Sequence, residues 1–356
     1  MSTTTEVDAL DLSIVDAVQH EPRASWQVVG SLVGLSDVAV ARRWARMESE
    51  KLAWTGIALH PSASRGAFIE MRCHSARLDR LIGRLSAHPD VITVGSTTGD
   101  FNLFCIVVGA SLRAVLNRVE YGMPETQDCE QIRVSLFQQI TGGVDWRQEI
   151  LERESKSPRH RVPDVSPTEL QRGNRPLRQS AVAPDHRFRR LFLALGSDGR
   201  RTLKDLAQEL EASPSTVRRM LQRLLDQRQI TFRCDMARPA FDYPIAMVLS
   251  LKSRPEHAEE LAFHIGSWQE TRFCASVAST ANLVVVAALR DLLDGQRIMA
   301  KLAGLPMPIE VVQRSVNTRM FKVYGRILDA AGRGVKHIPV DPWAADSLEM
   351  SSLQEG

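Results

Sequence analysis

The feature that most constrains the fold is an internal repeat. Residues 22–47 align without a gap with residues 199–224, at an offset of 177 positions. The matched pairs include Arg23 with Arg200, Ser36 with Ser213, Val40 with Val217, Trp44 with Leu221, and Met47 with Leu224. A repeat of this length indicates that one supersecondary unit occurs twice in the chain. The protein must therefore build two similar domains and a connection between them.

Each copy of the repeat predicts three short helices, because its apolar residues recur at helical spacing. The helices are expected at 11–20, 25–32 and 36–51 in the first copy, and at 188–196, 202–210 and 213–228 in the second. Thr202 and Asp205 form a capping box, Ser213 is an expected N-cap, and Pro214 suits the first helical position. Short helices joined by a tight turn predict a helix-turn-helix in each copy, followed by an extended wing.

A second pattern follows each helix-turn-helix. Strands and helices are predicted in the order β-α-β-β-α-β, which is a ferredoxin-like sandwich. The first copy has strands at 67–73, 91–96, 101–108 and 129–137 and helices at 75–87 and 111–122. The second has strands at 244–251, 273–278, 282–289 and 309–316 and helices at 255–266 and 291–304. The fold class expected is α/β (α+β), with two copies of a winged helix-turn-helix followed by this sandwich.

The predicted domains follow from these patterns. They are a helix-turn-helix at 1–58, a sandwich at 64–146, a linker at 150–184, a helix-turn-helix at 185–238, a sandwich at 242–330 and a tail at 331–356. The linker is rich in proline and polar residues and poor in apolar ones, which is typical of a disordered connection. A basic arm that touches DNA is the alternative for this segment.

Composition excludes several classes of protein. No run of 18 apolar residues is present, and the N-terminus has no apolar signal core, so we expect a cytoplasmic, nucleoid-associated protein without a membrane partner. The five cysteines are scattered and contain no CxxC pair. A disulfide framework or a metal site is therefore not expected. We also expect no cofactor.

The chain resembles two fused members of the Lrp/AsnC (leucine-responsive, feast/famine) family of regulators. The resemblance rests on DALDLSIVDAVQHEPRASWQVVGSLVGLS at 8–36, on GRRTLKDLA and SPSTVRRMLQRL in the second copy, and on TTGDFNLF at 97–104. It implies a sequence-specific DNA-binding regulator, not an enzyme, that associates through its sandwich domains. One chain could form an intramolecular pseudo-dimer, and further self-association is compatible with the family.

The resemblance also implies a small effector, such as an amino acid, near the turn that follows the third sandwich element. The expected contact residues are Thr98, Gly99, Asp100 and Asn102. The matching place in the second copy reads Ser-Thr-Ala-Asn at 279–282, so a second equivalent site is in doubt. Gly99 as a simple turn residue is the alternative.

The two helix-turn-helix copies differ in charge. Residues 8–56 carry five Lys/Arg and seven Asp/Glu, whereas residues 185–233 carry eleven and six. Because phosphate contact requires cations, the second copy is the better candidate for DNA binding. The predicted DNA contacts of the second copy are Arg200, Arg201, Lys204, Ser213, Ser215, Thr216, Arg218, Arg219, Gln222 and Arg223. Those of the first copy are Ser36, Val38, Ala39, Arg42, Arg43 and Arg46.

The sequence also permits alternatives. The first copy could be kept for folding or dimer geometry, with weak DNA contact, since Asp37 at the start of its third helix repels phosphate. Some relatives of this double architecture are siroheme decarboxylases, which act on an acidic tetrapyrrole with arginines and histidines that follow the helix-turn-helix. The corresponding segments here hold His60, Arg65, Arg233 and Arg238, without the Arg-Arg-Phe-Gly-like run that the enzymes would require. An effector-binding adaptor without DNA contact is a third interpretation.

Overall fold

The computed structural model describes residues 7–144, 146–148, 150–151 and 186–346. Each copy of the repeat forms three helices, as predicted. They are α1 Ala9–His20, α2 Trp26–Val33 and α3 Asp37–Ser49 in the first copy, and α6 His186–Ser197, α7 Leu203–Glu209 and α8 Pro214–Asp226 in the second. We call these copies the first head and the second head. Almost all of the predicted linker lies outside the described residues.

Side-chain caps explain where the head helices begin. The Ser36 hydroxyl accepts the Ala39 amide at 3.2 Å at the start of α3, and the Ser213 hydroxyl accepts the Thr216 amide at 3.1 Å at the start of α8. Thr202 caps α7 in the same way, at 3.1 Å from the Asp205 amide. Each cap satisfies an amide that has no partner within its own helix, so the local sequence fixes these helix starts.

A strand follows each head, and the two strands pair with each other. The strands β1 Ala53–Leu59 and β6 Ile230–Met236 form a two-stranded antiparallel sheet. Gly56 is the partner of Arg233 at the centre of this ladder. These two residues occupy the same place in the repeat, so the ladder is symmetric about a pseudo-twofold axis that relates the heads.

The remaining elements form two sandwiches joined into one sheet. The first contributes β2 Arg65–Cys73, α4 Ser75–Ala87, β3 Val91–Thr97, β4 Leu103–Gly109, α5 Leu112–Tyr121 and β5 Cys129–Gly142. The second contributes β7 Ile245–Ser253, α9 Pro255–Gly266, β8 Thr271–Ala278, β9 Leu283–Leu289, α10 Leu292–Ala303 and β10 Ile309–Val323. The strands β11 Arg326–Leu328 and β12 Gly334–His337 extend the sheet. The fold is the mixed α/β arrangement that the sequence predicts.

The last strand of each sandwich is longer than predicted, because it crosses into the other sandwich. The strand β5 pairs with β2 of its own sandwich and then with β8 of the other, while β10 pairs with β7 and then with β3. The sheet is thereby closed through eight strands, in the order β10-β3-β4-β2-β5-β8-β9-β7 and back to β10. Closure removes the unpaired strand edges that two separate sandwiches would expose.

The core has separate layers. A phenylalanine cluster lies inside the closed sheet, where the Phe68 ring stacks on Phe104 with a centroid distance of 5.1 Å and the Phe137 ring meets Phe273 at 5.2 Å. The sandwich helices cover the outer face of the sheet through buried side chains such as Leu85 and Ile265. Among the described residues, none of the helices combines the length and apolarity that a bilayer crossing requires.

Candidate nucleic-acid interface

Helix α8 has one apolar face and one basic face. Val217 and Leu221 are buried in the core of the second head. The residues Ser215, Arg218, Arg219, Gln222 and Arg223 are exposed on the opposite side, with Thr216 partly exposed beside them. Helical spacing separates the two faces because side chains three and four positions apart lie on one side. The basic face is therefore accessible to a ligand as large as a DNA duplex.

The arginines of this face keep their charge available. Within the described part of the chain, no carboxylate forms an ion pair with Arg218, Arg219 or Arg223; the guanidinium of Arg223 lies 5.8 Å from the Phe188 ring. The Gln222 amide donates to Asp226 at 2.8 Å. Ser213 holds the start of the helix and shares contacts at 2.9 Å with the hydroxyls of Ser215 and Thr216. Unpaired guanidinium groups are well suited to bind phosphate or guanine edges.

Arg200 differs from its predicted role. Its guanidinium donates to the carbonyl oxygens of Pro22 at 2.7 Å and Ala24 at 2.6 Å, and it stacks on the Trp26 ring at 3.8 Å. The prediction of a phosphate contact at Arg200 is therefore corrected, because the group is used within the protein. Its neighbour Arg201 forms an ion pair with Glu209, while Lys204 is exposed.

Arg23, which aligns with Arg200 in the repeat, makes the equivalent contact from the first head to the second. The Arg23 guanidinium donates to the carbonyl oxygens of Gly199 at 2.5 Å and Arg201 at 3.0 Å. These acceptors are the repeat counterparts of Pro22 and Ala24. We call this reciprocal pair, Arg23 and Arg200, the arginine clasp. It joins the two heads across the pseudo-twofold axis and fixes their relative orientation.

The basic residues of the first head are largely neutralised. Arg43 pairs with Asp8 at 2.8 Å and with the buried Asp11 at 2.9 Å, and Arg46 also pairs with Asp11. Both guanidinium groups are thus directed at helix α1 rather than left free for phosphate. Val38 is 72% exposed and Arg42 is exposed near it, with Ala39 partly exposed. The first head therefore presents a more apolar surface than the second.

The predicted effector turn is largely occupied by its own hydrogen bonds. The Asn102 side chain accepts the Cys73 amide at 3.0 Å and donates to the Cys73 carbonyl at 2.6 Å. The Thr98 hydroxyl accepts the Val316 amide at 3.0 Å, across the junction with β10. Gly99 has a φ of +90°, which suits glycine. Thr98, Gly99 and Asp100 are exposed, and the Asp100 carboxylate lies 3.6 Å from Arg72.

The candidate tetrapyrrole residues separate into two groups. In the first copy, His60 contacts the Ser62 hydroxyl at 2.8 Å, and Arg65 donates to the carbonyls of Ser62 and Ser64, so both stabilise their own turn. In the second copy, Arg233 and Arg238 line a cavity that also contains Arg272. Arg272 belongs to none of the sequence motifs described above. Its repeat counterpart, Ile92, is apolar, and this difference between the copies could have identified it.

Comparison with known families identifies both heads. Residues 7–48 match the AsnC-type helix-turn-helix domain, and residues 188–233 match the IclR helix-turn-helix domain. The first match confirms the resemblance to Lrp/AsnC regulators, and the second confirms a helix-turn-helix at the second head. Among curated proteins, no sequence relative matches the chain. The solved structure of E. coli AsnC is 21% identical and covers 37% of this chain and 93% of its own, with a TM-score of 0.32.

A solved enzyme structure matches most of the chain. The siroheme decarboxylase NirDL aligns with a TM-score of 0.56 at 15% identity, over 98% of this chain and 100% of its own. Its complex with an iron-uroporphyrin III analogue aligns with the same TM-score at 13% identity, over 87% and 92% of the two chains. The expectation that the chain is not an enzyme is therefore wrong as stated, because the fold that it matches along its length is that of an enzyme. The chain carries an AsnC-type helix-turn-helix domain at residues 7–48 and a second helix-turn-helix domain at residues 188–233, on a two-headed fold that it shares with NirDL.

Proposed function

We propose that the chain is a DNA-binding transcription regulator that acts in the cytoplasm on chromosomal DNA and carries both reading heads in one polypeptide. The observation that carries this proposal is the exposed, unpaired arginine face of α8, formed by Arg218, Arg219 and Arg223. A helix-turn-helix places its last helix in the major groove, where arginines bind guanine edges and phosphates. Gln222 on the same face suits adenine. Lys204 is exposed and would meet the backbone, whereas Arg201 would first have to release Glu209.

The first head has a secondary role in this proposal. Val38 and Ala39 offer apolar contact to a thymine methyl group, and Arg42 offers one free cation. Arg43 and Arg46 contribute less, since Asp8 and Asp11 neutralise them. We therefore expect an operator whose two halves differ in sequence and in their share of the binding free energy. Because the clasp fixes the heads, one chain would bind both halves together.

Binding to the DNA upstream of the chain's own gene, measured by fluorescence anisotropy over a range of salt concentrations, tests this function. The wild type is compared with Arg218→Gln/Arg219→Gln/Arg223→Gln. We expect the variant to lose most of its selective binding and its log–log salt slope to fall by roughly 2 to 3, because each phosphate contact contributes about 0.9.

The matched control is Arg254→Gln/Arg297→Gln/Arg314→Gln. It removes the same net charge from exposed positions on the second sandwich, away from the heads. It should bind DNA almost as the wild type does. If the two triple variants bind alike, or if the wild type shows no preference for the upstream DNA, the proposal fails.

A second candidate function is supported by the fold match with NirDL and by one cleft. A cleft lies beside β10 and is lined by Trp54, Arg238, Tyr243 and Arg319 among others. Its two arginines could bind the carboxylates of a tetrapyrrole, and its aromatic side chains could contact the macrocycle. Among the described residues that line it, none is a histidine. The cleft therefore offers arginines without the histidine that the decarboxylase interpretation expected from the sequence.

Absorbance titration with iron-uroporphyrin III tests this second candidate. Saturable binding that Arg319→Gln weakens, together with release of carbon dioxide, would make the chain an enzyme of this kind. Binding without product would leave a tetrapyrrole-binding protein. An unchanged spectrum would remove the candidate, and the DNA measurement is independent of either result.

A further inference from the structure

Three arginines converge on a cavity between the heads and the closed sheet. Arg233 lies on the wing strand β6, Arg238 begins the turn Arg238–Phe241, and Arg272 lies on β8. Gln19 of helix α1 and Trp146 complete the wall of this cavity. Arg233 and Arg272 are 8% and 6% exposed. Charged side chains are rarely this deeply buried unless they are paired.

The positive charges in the cavity exceed the negative ones. The carboxylate that the described residues place here is Asp235, which accepts from Nε and Nη2 of Arg233, each at 2.6 Å. Arg238 and Arg272 have no ion-pair partner within the described part of the chain. Burial lowers the pKa of the Arg272 guanidinium, and the neighbouring Arg238 lowers that pKa further. Arginine nevertheless keeps its proton in proteins, so the charge has to be balanced in another way.

Several donor atoms in this cavity have no acceptor. Nε and Nη2 of Arg272 and Nη1 of Arg233 are buried without a hydrogen bond. The Arg272 guanidinium lies against the Trp146 ring, with the Tyr243 ring at 4.8 Å, and its remaining nitrogen makes a long contact of 3.4 Å to the Gln269 carbonyl. Stacking holds the guanidinium in place while Nε and Nη2 stay unsatisfied, and an unsatisfied buried donor is costly. Such donors are what a carboxylate accepts from.

The repeat supplies an internal comparison. A second cavity is lined by Ala58, which aligns with Asp235 in the repeat, and by Ile92, which aligns with Arg272. The counterpart of Arg233 is Gly56. That cavity is apolar, and the surrounding fold is the same. The fold therefore does not require the arginines, and their presence in one copy only calls for a separate explanation.

We propose that this cavity binds a small dicarboxylate anion through Arg233, Arg238 and Arg272. Two carboxylates would balance the two uncompensated charges, and bidentate contacts would use the donors that now lack acceptors. Trp146, which lines the cavity, would pack against the carbon chain.

The position of the cavity gives the ligand a means of regulation. Gln19 of the first head donates to the Cys234 carbonyl on the wing of the second head at 3.4 Å and accepts the Gln148 amide at 2.9 Å. A bound anion would join this wing to β8 and thus couple the heads to the sheet. This regulatory role rests on the proposed DNA-binding function, whereas binding of the anion does not.

Thermal unfolding with sodium succinate, against sodium chloride at equal ionic strength, tests the site in the full chain without DNA. We expect succinate to raise the Tm of the wild type by about 5 °C at saturation, since a ligand of the folded state stabilises it. The variant Arg272→Met should lose this shift, and its Tm without ligand should equal or exceed that of the wild type, because a buried uncompensated charge is removed. The exposed control Arg314→Met should respond as the wild type does.

Three outcomes would overturn the proposal. They are a succinate effect no larger than that of chloride, an Arg272→Met variant that still responds, and a response to inorganic phosphate or uroporphyrin III but not to succinate. If Arg272→Met fails to fold, Arg238→Gln replaces it, because Arg238 is less buried. That variant should also lose the rise in Tm with succinate. A succinate shift in a protein that binds no DNA would retain the site and reject the regulator.

Discussion

Two asparagines at equivalent places in the sandwiches act as structural clamps. Asn102 makes two hydrogen bonds to the backbone of Cys73, and Asn282 makes the same pair to the backbone of Ser253, at 2.9 Å each. The turn of the first copy retains the family pattern and the turn of the second copy departs from it, yet both copies have the clamp. Asn102 is therefore more readily explained by the fold than by an effector.

Replacement of either asparagine should destabilise the protein to a similar extent. We expect Asn102→Ala and Asn282→Ala each to lower the free energy of unfolding by about 1 to 3 kcal/mol, because partly buried backbone groups lose their partners. Chemical denaturation measures this. Asp100→Asn is the control, and it should change the stability by less than about 0.5 kcal/mol because Asp100 is exposed. A large loss at Asn102 with none at Asn282 would instead indicate a role specific to the first copy.

Single arginines illustrate why identical repeat positions do not share a function. Arg46 and Arg223 align in the repeat, yet Arg46 pairs with Asp11, whereas Arg223 remains exposed on the basic face. The difference arises on helix α1, where the first head has acidic residues that the second head lacks. Charge therefore has to be evaluated with its neighbours and not from the helix alone.

At the scale of elements, a buried lysine stabilises the junction between β10 and helix α4. Lys322 is fully buried, and its ammonium donates to the carbonyl oxygens of Ser86 at 2.9 Å and His88 at 2.7 Å, at the end of the helix. Helix ends leave such carbonyls without intrahelical partners, and a cation there interacts favourably with the dipole. The crossing strand is thus anchored to the sandwich that it enters.

The same lysine predicts a dependence of stability on pH. Burial lowers the Lys322 pKa from 10.5 to about 8, with a partial offset from Asp90. Between these values the unfolded chain holds the proton and the folded chain does not, so the free energy of unfolding should rise as the pH increases through this window. Relative to Lys322→Met, we expect the wild type to gain about 2 kcal/mol between pH 8 and 10.5.

Denaturation of both proteins across this pH range measures the difference, because the titrations that they share cancel. A constant difference between wild type and Lys322→Met would contradict the pKa shift. The variant also removes a donor for the two carbonyls, but that loss is independent of pH and does not affect the test.

At the scale of the whole molecule, three symmetric features join the two copies. The wing strands pair about Gly56 and Arg233, the last sandwich strands are exchanged, and the arginine clasp joins the heads. Each feature would join two chains if the repeat were not fused. The covalent connection makes these contacts intramolecular, which raises the effective concentration of the partners.

The arginine clasp should contribute to both stability and DNA binding. We expect Arg200→Ala and Arg23→Ala each to lower the free energy of unfolding by about 2 kcal/mol, because each removes two charged hydrogen bonds. DNA affinity should also fall, since the heads lose their fixed orientation. Chemical denaturation and anisotropy measure the two effects. For stability, the control is Arg201→Ala, which removes a partly exposed ion pair and should cost less than about 1 kcal/mol. Unchanged stability in Arg200→Ala would show that the clasp is dispensable.

The sequence by itself determined the repeat, the helices of both heads and the strand order of both sandwiches. These features depend on local patterns such as the Ser36 and Ser213 caps and the apolar spacing of α8, which act over a few residues. It also predicted the arginine face of α8, because a helix with a buried apolar side must expose its other side.

Only the tertiary structure decided which distant groups meet. The extension of β5 and β10 depends on pairing with strands of the other copy, and the partners of Arg200 lie 176 to 178 residues away. The cavity of Arg233, Arg238 and Arg272 joins three elements that no local pattern connects. Nonlocal contacts of this kind are set by how the chain closes upon itself, so a pattern of neighbouring residues does not encode them.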